Sequence, residues 1–459
     1  MRHPKRSLTS SEASGSCFWP LLCGVLAWML TPLFLLLWLW RFVRFKEKGS
    51  AVVQRLGFVN FAPLQAQDGQ RLWLHGASVG ESLAFEGLVC ALLKADPSLS
   101  VVLTTNTRTS AQIWRAKIQK NPLLQKRVVH RMIPFDHPLA LRLFVKAVKP
   151  AAVVLNESDF WPNMLFLLQK KKVSVLVFGA QLSVRSRKKW RVMPSLLRAM
   201  LHNVQLCTPS NEMMSFFENL GLKKVTLFPS LKWAYPLCHQ TETVKKPSLT
   251  SLGLAPAAFK TRLVLMALST HLGEEDIILK AFCALRQQDP SMLLMIAPRY
   301  TKSLAPLELL MRMLQLDYTL LSKMSNQCSA LKDVLVIDQM GVVRALLSLS
   351  RFVFVGGSLL EGMQGHNLIE PALAGCVVLH GPYMGKNEEA ATFFRQQNAA
   401  LCVTKEDLKG VMQQLVRDPE VAEKLAKAAY KSATQKGKEV LKAAVEKVQD
   451  MLKDGKAED

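Results

Sequence analysis

An alternation constrains this chain more than any other feature: short runs rich in Val, Leu and Ile recur between stretches of helical length, in two successive sets. The first set is RLWLH (71–75), SVVLTT (100–105), VVHRMIP (128–134), AAVVL (151–155) and VSVLVF (173–178). The second is RLVLMALS (262–269), MLLMIAP (292–298), DVLVID (333–338), RFVFVGG (351–357) and CVVLHG (376–381). Runs with so little polar alternation are how parallel strands covered on both faces read. A chain of 459 residues can bury two cores of ordinary size. The expected fold is therefore α/β, with two doubly wound, Rossmann-like domains facing each other across a cleft. The divisions expected are an N-terminal tail and membrane anchor over 1–48, a first domain over 49–230, a linker over 231–258, a second domain over 259–405 and a helical segment over 406–459.

Charge and hydropathy narrow the surroundings. Residues 1–230 hold 31 Lys and Arg against 11 Asp and Glu, whereas 231–459 hold 28 against 24. A basic half beside a near-neutral one points to a polyanionic partner, either nucleic acid or an anionic membrane surface. The run 17–40 (CFWPLLCGVLAWMLTPLFLLLWLW) is 24 residues without a charge, against roughly 20 that cross a bilayer core. It selects the anionic leaflet over nucleic acid, with the body on the cytoplasmic side. No small-residue cleavage site follows it, so an uncleaved signal anchor is expected, although Pro20 and Pro32 also suit a re-entrant or interfacial segment. The nine cysteines show no CxxC pair, so neither a metal site nor a disulfide framework is expected.

Ligands of doubly wound sheets bind beyond the carboxyl ends of the strands, so residues just after each strand carry the candidate chemistry. The first strand runs into 75–81 (HGASVGE), where Gly76 and Gly80 permit a tight turn and Glu81 falls near a helix N-terminus. Glu81 there is either a charge complementing the helix dipole or a catalytic base. Ser78 is either a helix cap or, because 76–80 match G-x-S-x-G, a hydrolase nucleophile partnered by His366 or His380. Glu157, in 156–163 (NESDFWPN), needs cationic partners, which the nearby basic runs would supply, and Ser183 follows the fifth strand. In the second half, Arg299 after Pro298 suits a phosphate. Gly356-Gly357-Ser358 leads to 365–371 (GHNLIEP), an arrangement of glycines and a helix start near Asn367 that reads as an anion site. Glu370, one turn further, is placed to accept hydrogen bonds from a ribose.

Taken in order, 75–81, 156–163, 179–186 (GAQLSVRS), Leu231-Lys232-Trp233, 269–275 (STHLGEE), 297–299 (APR), 338–341 (DQMG), 356–358 (GGS) and 365–371 resemble the motifs of bacterial 3-deoxy-D-manno-octulosonic acid (Kdo) transferases. The resemblance covers roughly residues 40–400. It implies a GT-B glycosyltransferase that moves Kdo from CMP-Kdo to a lipid A precursor, with inversion, at the bacterial inner membrane in lipopolysaccharide core biosynthesis. It makes Glu81 the proton acceptor and assigns CMP-Kdo contacts to Pro298, Arg299, Met340, Gly341, Val342, Asn367, Leu368, Ile369 and Glu370. Ser78, Gly80, Glu157 and Ser183 become acceptor-side or structural. No metal and no cofactor beyond the donor are implied. Two positions depart from the family pattern: Val342 stands where an acidic residue is common, and Gln364 where a glycine is common. A membrane-anchored serine hydrolase and a non-catalytic binding protein on the same scaffold are the competing readings.

Overall fold

The structure is a computed structural model that describes residues 10–33, 36, 49–60, 69–157, 160–234, 249–300, 303–324 and 331–454. It divides into two compact units: Met1–Cys238 together with Glu439–Asp459, and His239–Lys438.

In the first unit seven parallel strands stand in the order β3-β2-β1-β4-β5-β6-β7. They are β1 (Arg71–His75), β2 (Ser100–Thr105), β3 (Val128–Met132), β4 (Ala152–Asn156), β5 (Ser174–Phe178), β6 (Val204–Thr208) and β7 (Val225–Leu227). β1 and β4 are neighbours, with Leu72 opposite Ala152 and His75 opposite Leu155, so the chain order reverses between them. Such a reversal opens a crevice at the carboxyl ends of the two strands. Helices cover both faces, which is why β1, β2 and β4 are buried at nearly every position. Trp73 on β1 is fully buried, lies 4.9 Å from the Phe144 ring, and donates its indole N–H to Thr104 Oγ1 at 2.9 Å.

The second unit repeats the plan with seven parallel strands in the order β10-β11-β9-β8-β12-β13-β14. These are β8 (Val264–Thr270), β9 (Leu293–Pro298), β10 (Tyr318–Leu320), β11 (Val334–Val336), β12 (Phe352–Val355), β13 (Val377–His380) and β14 (Leu401–Cys402). Here the reversal falls between β8 and β12, where Leu265 lies opposite Phe352. Its core joins Phe282, Leu294, Ile296 and Phe354, all buried.

Three stretches differ in detail from the sequence reading. Leu231, Trp233 and Ala234, at the start of the expected linker, are buried with the first unit. The final helix, Pro419–Asp454, begins in the second unit, and its residues from Glu439 belong to the first. The apolar run 17–40 is described through residue 33 and at 36; a helix Ser10–Met29 occupies its first part and gives way to a turn at Leu30. Trp19 and Cys23 pack against the first unit's core, and Trp28 meets the His137 ring edge-on at 4.5 Å. Phe18, Leu21, Val25, Leu26 and Met29 remain exposed. Among the described residues no helix is long and apolar enough to cross a membrane.

Candidate active site

The residues that follow β1 make a short turn and then the helix Val79–Leu83. Gly76 is the glycine this turn requires, because a Cβ there would lie 2.7 Å from the Ser82 backbone nitrogen. Gly80, also expected to ease the turn, sits inside the helix, where a Cβ would meet nothing within 4 Å. Ser78 caps the helix: its Oγ accepts from Glu81 N–H at 3.3 Å, and the Glu81 side chain reaches back to the cap. Glu81 Oε2 accepts from Ala77 N–H at 2.9 Å and Ser78 N–H at 3.2 Å, while Oε1 takes the Ser78 hydroxyl at 2.8 Å. The carboxylate is thereby oriented by three donors of its own turn. Ser78, its Oγ both donating to and accepting from Glu81, takes the place of the helix cap.

The other side of the crevice comes from β4. Asn156 donates its amide to the Glu81 carbonyl at 2.8 Å, tying the two strand ends together. Glu157 follows with a left-handed backbone, φ 65°, and pairs with Lys232 Nζ at 2.9 Å. Its cation thus comes from the buried Leu231–Trp233 turn and not from the basic runs 170–172 or 185–191. Ser183 caps the helix Val184–Trp190 through Ser186 N–H at 3.2 Å. Ser158 and Asp159 lie outside the described residues.

At the second unit's reversal point the glycine turn is already filled. Glu274, wholly buried, accepts from Gly357 N–H at 2.7 Å, Ser358 N–H at 2.9 Å, Leu359 N–H at 2.8 Å and His271 N–H at 3.1 Å. Gly356-Gly357-Ser358 is therefore a nest for the chain's own carboxylate. Above it, His271 Nε2 and His366 Nε2 are 2.9 Å apart, which requires one proton between them. A Cβ on Gly357, whose φ is +67°, would press on His366 at 2.9 Å, so a glycine admits the pair. Burial first, then the positive fields of His271 and Arg299, lowers the His366 pKa to about 4. Burial likewise raises that of Glu275, which the Thr270 hydroxyl contacts at 2.9 Å.

The expected donor-site residues are spread over the end of β9, the turn before the helix Val343–Leu347 and the start of the helix Ile369–Leu373. Pro298 closes β9, and the exposed Arg299 lies over the Tyr300 ring, 5.7 Å from its centroid. Met340 is 88% exposed, Gly341 has φ +86°, and Val342 turns its side chain inward. Asn367 Oδ1 takes the Ile369 N–H at 3.0 Å, Leu368 and Ile369 are buried, and Glu370 pairs with Arg344 at 3.0 Å. Asn156, Lys232, Glu274 and His271 were inside motifs the sequence presented, but nothing in spacing distinguished them from their neighbours.

Two all-parallel α/β units with matching reversal points define the GT-B architecture. Solved structures share it at the level of fold. UDP-GlcNAc 2-epimerase from Neisseria meningitidis aligns with TM-score 0.57 and 14% identity over 82% of this chain and 100% of that one. A glycosyltransferase from Rickettsia africae aligns with TM-score 0.55 and 10% identity over 85% and 99%. Residues 50–235 match the family model described as 3-deoxy-D-manno-octulosonic-acid transferase (kdotransferase). The chain is 26% identical to a probable mitochondrial 3-deoxy-D-manno-octulosonic acid transferase of Arabidopsis thaliana, over 89% of this chain and 91% of that protein. It is also 26% identical to the 3-deoxy-D-manno-octulosonic acid transferase of Haemophilus influenzae, over 88% and 90%. Residues 50–235 thus match the Kdo transferase family model, and the chain is similar to these transferases over most of its length.

Proposed function

We propose that the chain transfers Kdo from CMP-Kdo to a hydroxyl of a lipid A precursor, with inversion, and that Glu81 is the base. The observation that carries this reading is the placement of Glu81 at the reversal point of the first sheet, its carboxylate fixed by Ala77 and Ser78. Pre-orientation of this kind lets a carboxylate take a proton without first reorganising. As the acceptor oxygen attacks the anomeric carbon of Kdo, its proton passes to Glu81, and the bond to CMP breaks with its electrons leaving on the phosphate. Arg299, exposed at the end of β9, supplies positive charge to that phosphate. Leu368 and Ile369 have buried side chains and offer the donor only backbone groups. The same holds for Val342, so the loss of an acidic side chain there leaves a backbone contact intact. The step uses no metal and no cofactor besides the donor.

The membrane side of the proposal rests on the helix Ser10–Met29, which packs one face on the first unit and exposes apolar side chains on the other. With the basic excess of residues 1–230, this face suits an anionic leaflet. We assign the body to the cytoplasmic side of a bacterial inner membrane, held by this N-terminal segment.

Glu81→Gln tests the base. The variant is expected to bind CMP-Kdo and vesicles as the parent does while turnover falls by roughly 10²–10⁴-fold. Mass analysis of the lipid product reads the reaction; retained turnover removes Glu81 from the role, and a product without added Kdo in the parent removes the reaction.

A further inference from the structure

Arg55 closes the helix Gly49–Arg55, which follows the apolar N-terminal run in sequence, and it is only 6% exposed. A guanidinium is strongly hydrated, so burial this deep requires acceptors that replace water. Both arms of the fork go to one residue: Nη1 donates to Asn106 Oδ1 at 3.0 Å and Nη2 to the Asn106 carbonyl at 2.7 Å. The Phe135 ring lies 5.8 Å from the guanidinium carbon. The helix itself is pinned separately, by Phe135 N–H on the Arg55 carbonyl at 2.8 Å and Met132 N–H on Gln54 Oε1 at 2.8 Å. The fork is thus not what holds the helix in place.

Its effect lies in the other direction. Asn106 comes directly after β2, and gripping both its carbonyl and its carboxamide fixes how its backbone N–H points. That N–H donates to the Ala77 carbonyl at 3.1 Å. The same peptide carries the Ser78 N–H, which donates to Glu81 Oε2 at 3.2 Å. A series of hydrogen bonds therefore runs from Arg55 through Asn106 and the Ala77–Ser78 peptide to the Glu81 carboxylate. From the opposite side Asn156 holds the Glu81 carbonyl at 2.8 Å, so the turn is clamped between two fixed groups.

We propose that Arg55 is a positioning residue for the base: its bidentate grip on Asn106 sets the Ala77 peptide, and through it the orientation of the Glu81 carboxylate. This rests on the reading of Glu81 as the proton acceptor. A planar fork is needed, since two acceptors on one residue must be met at once; an ammonium reaches one of them.

Arg55→Met, Arg55→Lys and Asn106→Ala test it in the full-length protein. Arg55→Met is expected to lower kcat about ten- to hundredfold, the scale of a small misplacement of a catalytic group, with KM for CMP-Kdo within twofold. Arg55→Lys recovers only part of the loss, and Asn106→Ala, which keeps the carbonyl contact, falls between parent and Arg55→Met. A kcat within twofold of the parent in Arg55→Met overturns the proposal, as does a KM for CMP-Kdo that changes by as much as kcat. If Arg55→Met does not fold, judged by loss of a cooperative thermal transition, Asn106→Ala decides by the same two readouts. An inactive Glu81→Gln beside unaffected Arg55 variants refutes this inference alone, whereas an active Glu81→Gln refutes the base assignment beneath it.

Discussion

Glu274 sits where four backbone N–H groups converge, contributed by His271, Gly357, Ser358 and Leu359. Charged acceptors in buried nests hold such turns at about 1.5–3 kcal/mol per bond, so neutralising this one leaves donors poorly satisfied. Glu274→Gln is expected to lower the thermal midpoint of the second unit by several degrees without moving that of the first, read by calorimetry; an unchanged profile removes the turn-holding role. Residues of this kind were only half legible. Glu81 could be singled out by the resemblance of 75–81 to the family's motif, since on its turn alone it reads equally as a charge on the helix dipole. The glycines at 356–357 are equally visible, but a nest for an internal carboxylate and a nest for an external anion demand the same backbone, and the sequence does not say which anion arrives. Arg55 gave no signal at all, since its importance lies in two acceptors on a residue 51 positions away.

The helix Ser10–Met29 illustrates what elements do beyond their own length. Its exposed Leu21 and Met29 lie on the side away from Trp19 and Cys23, which pack against the core. Leu21→Asp combined with Met29→Asp is expected to weaken sedimentation with anionic vesicles at least about tenfold, since two buried apolar side chains each contribute roughly 1.5–3 kcal/mol. The thermal midpoint should hold, because neither side chain packs inside; equal vesicle binding would dismiss this face. Among the strands, those with long apolar runs were legible because burial on both faces leaves no polar alternation. β6 was not, as Gln205 and Thr208 break its run. β7, β10 and β14 span three, three and two residues and lie in the outer parts of their sheets, too short for any period to register. Strand order was also beyond composition, although the reversal it creates is what gathers Glu81, Asn156 and Glu157.

At the scale of the whole molecule, acid is felt through buried imidazoles. His130 is 3% exposed on β3, bonded through Nε2 to Thr105 Oγ1 at 2.9 Å, and its pKa is lowered to about 3, by burial first and then by Arg115 and Arg131. A folded-state value below the unfolded one means the unfolded chain takes the proton first. Stability present above about pH 6.5 is therefore lost as pH falls toward 3. The penalty of His130→Asn in thermal midpoint is expected to be largest at neutral pH and to shrink on acidification; a constant penalty from pH 7 to 4 contradicts it. The final helix has a consequence of another kind. Val448, Met451 and Leu452 are buried, and the Leu452 carbonyl accepts from the Gln70 amide at 3.0 Å, so the last turns complete a unit begun by the first residues. On a ribosome making about 5–20 residues per second, that unit waits roughly 10–45 s after residue 238 emerges before its closing piece exists. Through that interval the side chains that Val448 and Leu452 will cover stay open to water and to chaperones. A nascent chain arrested at Lys438 should be cleaved by protease within its amino-terminal half, where the finished protein is not.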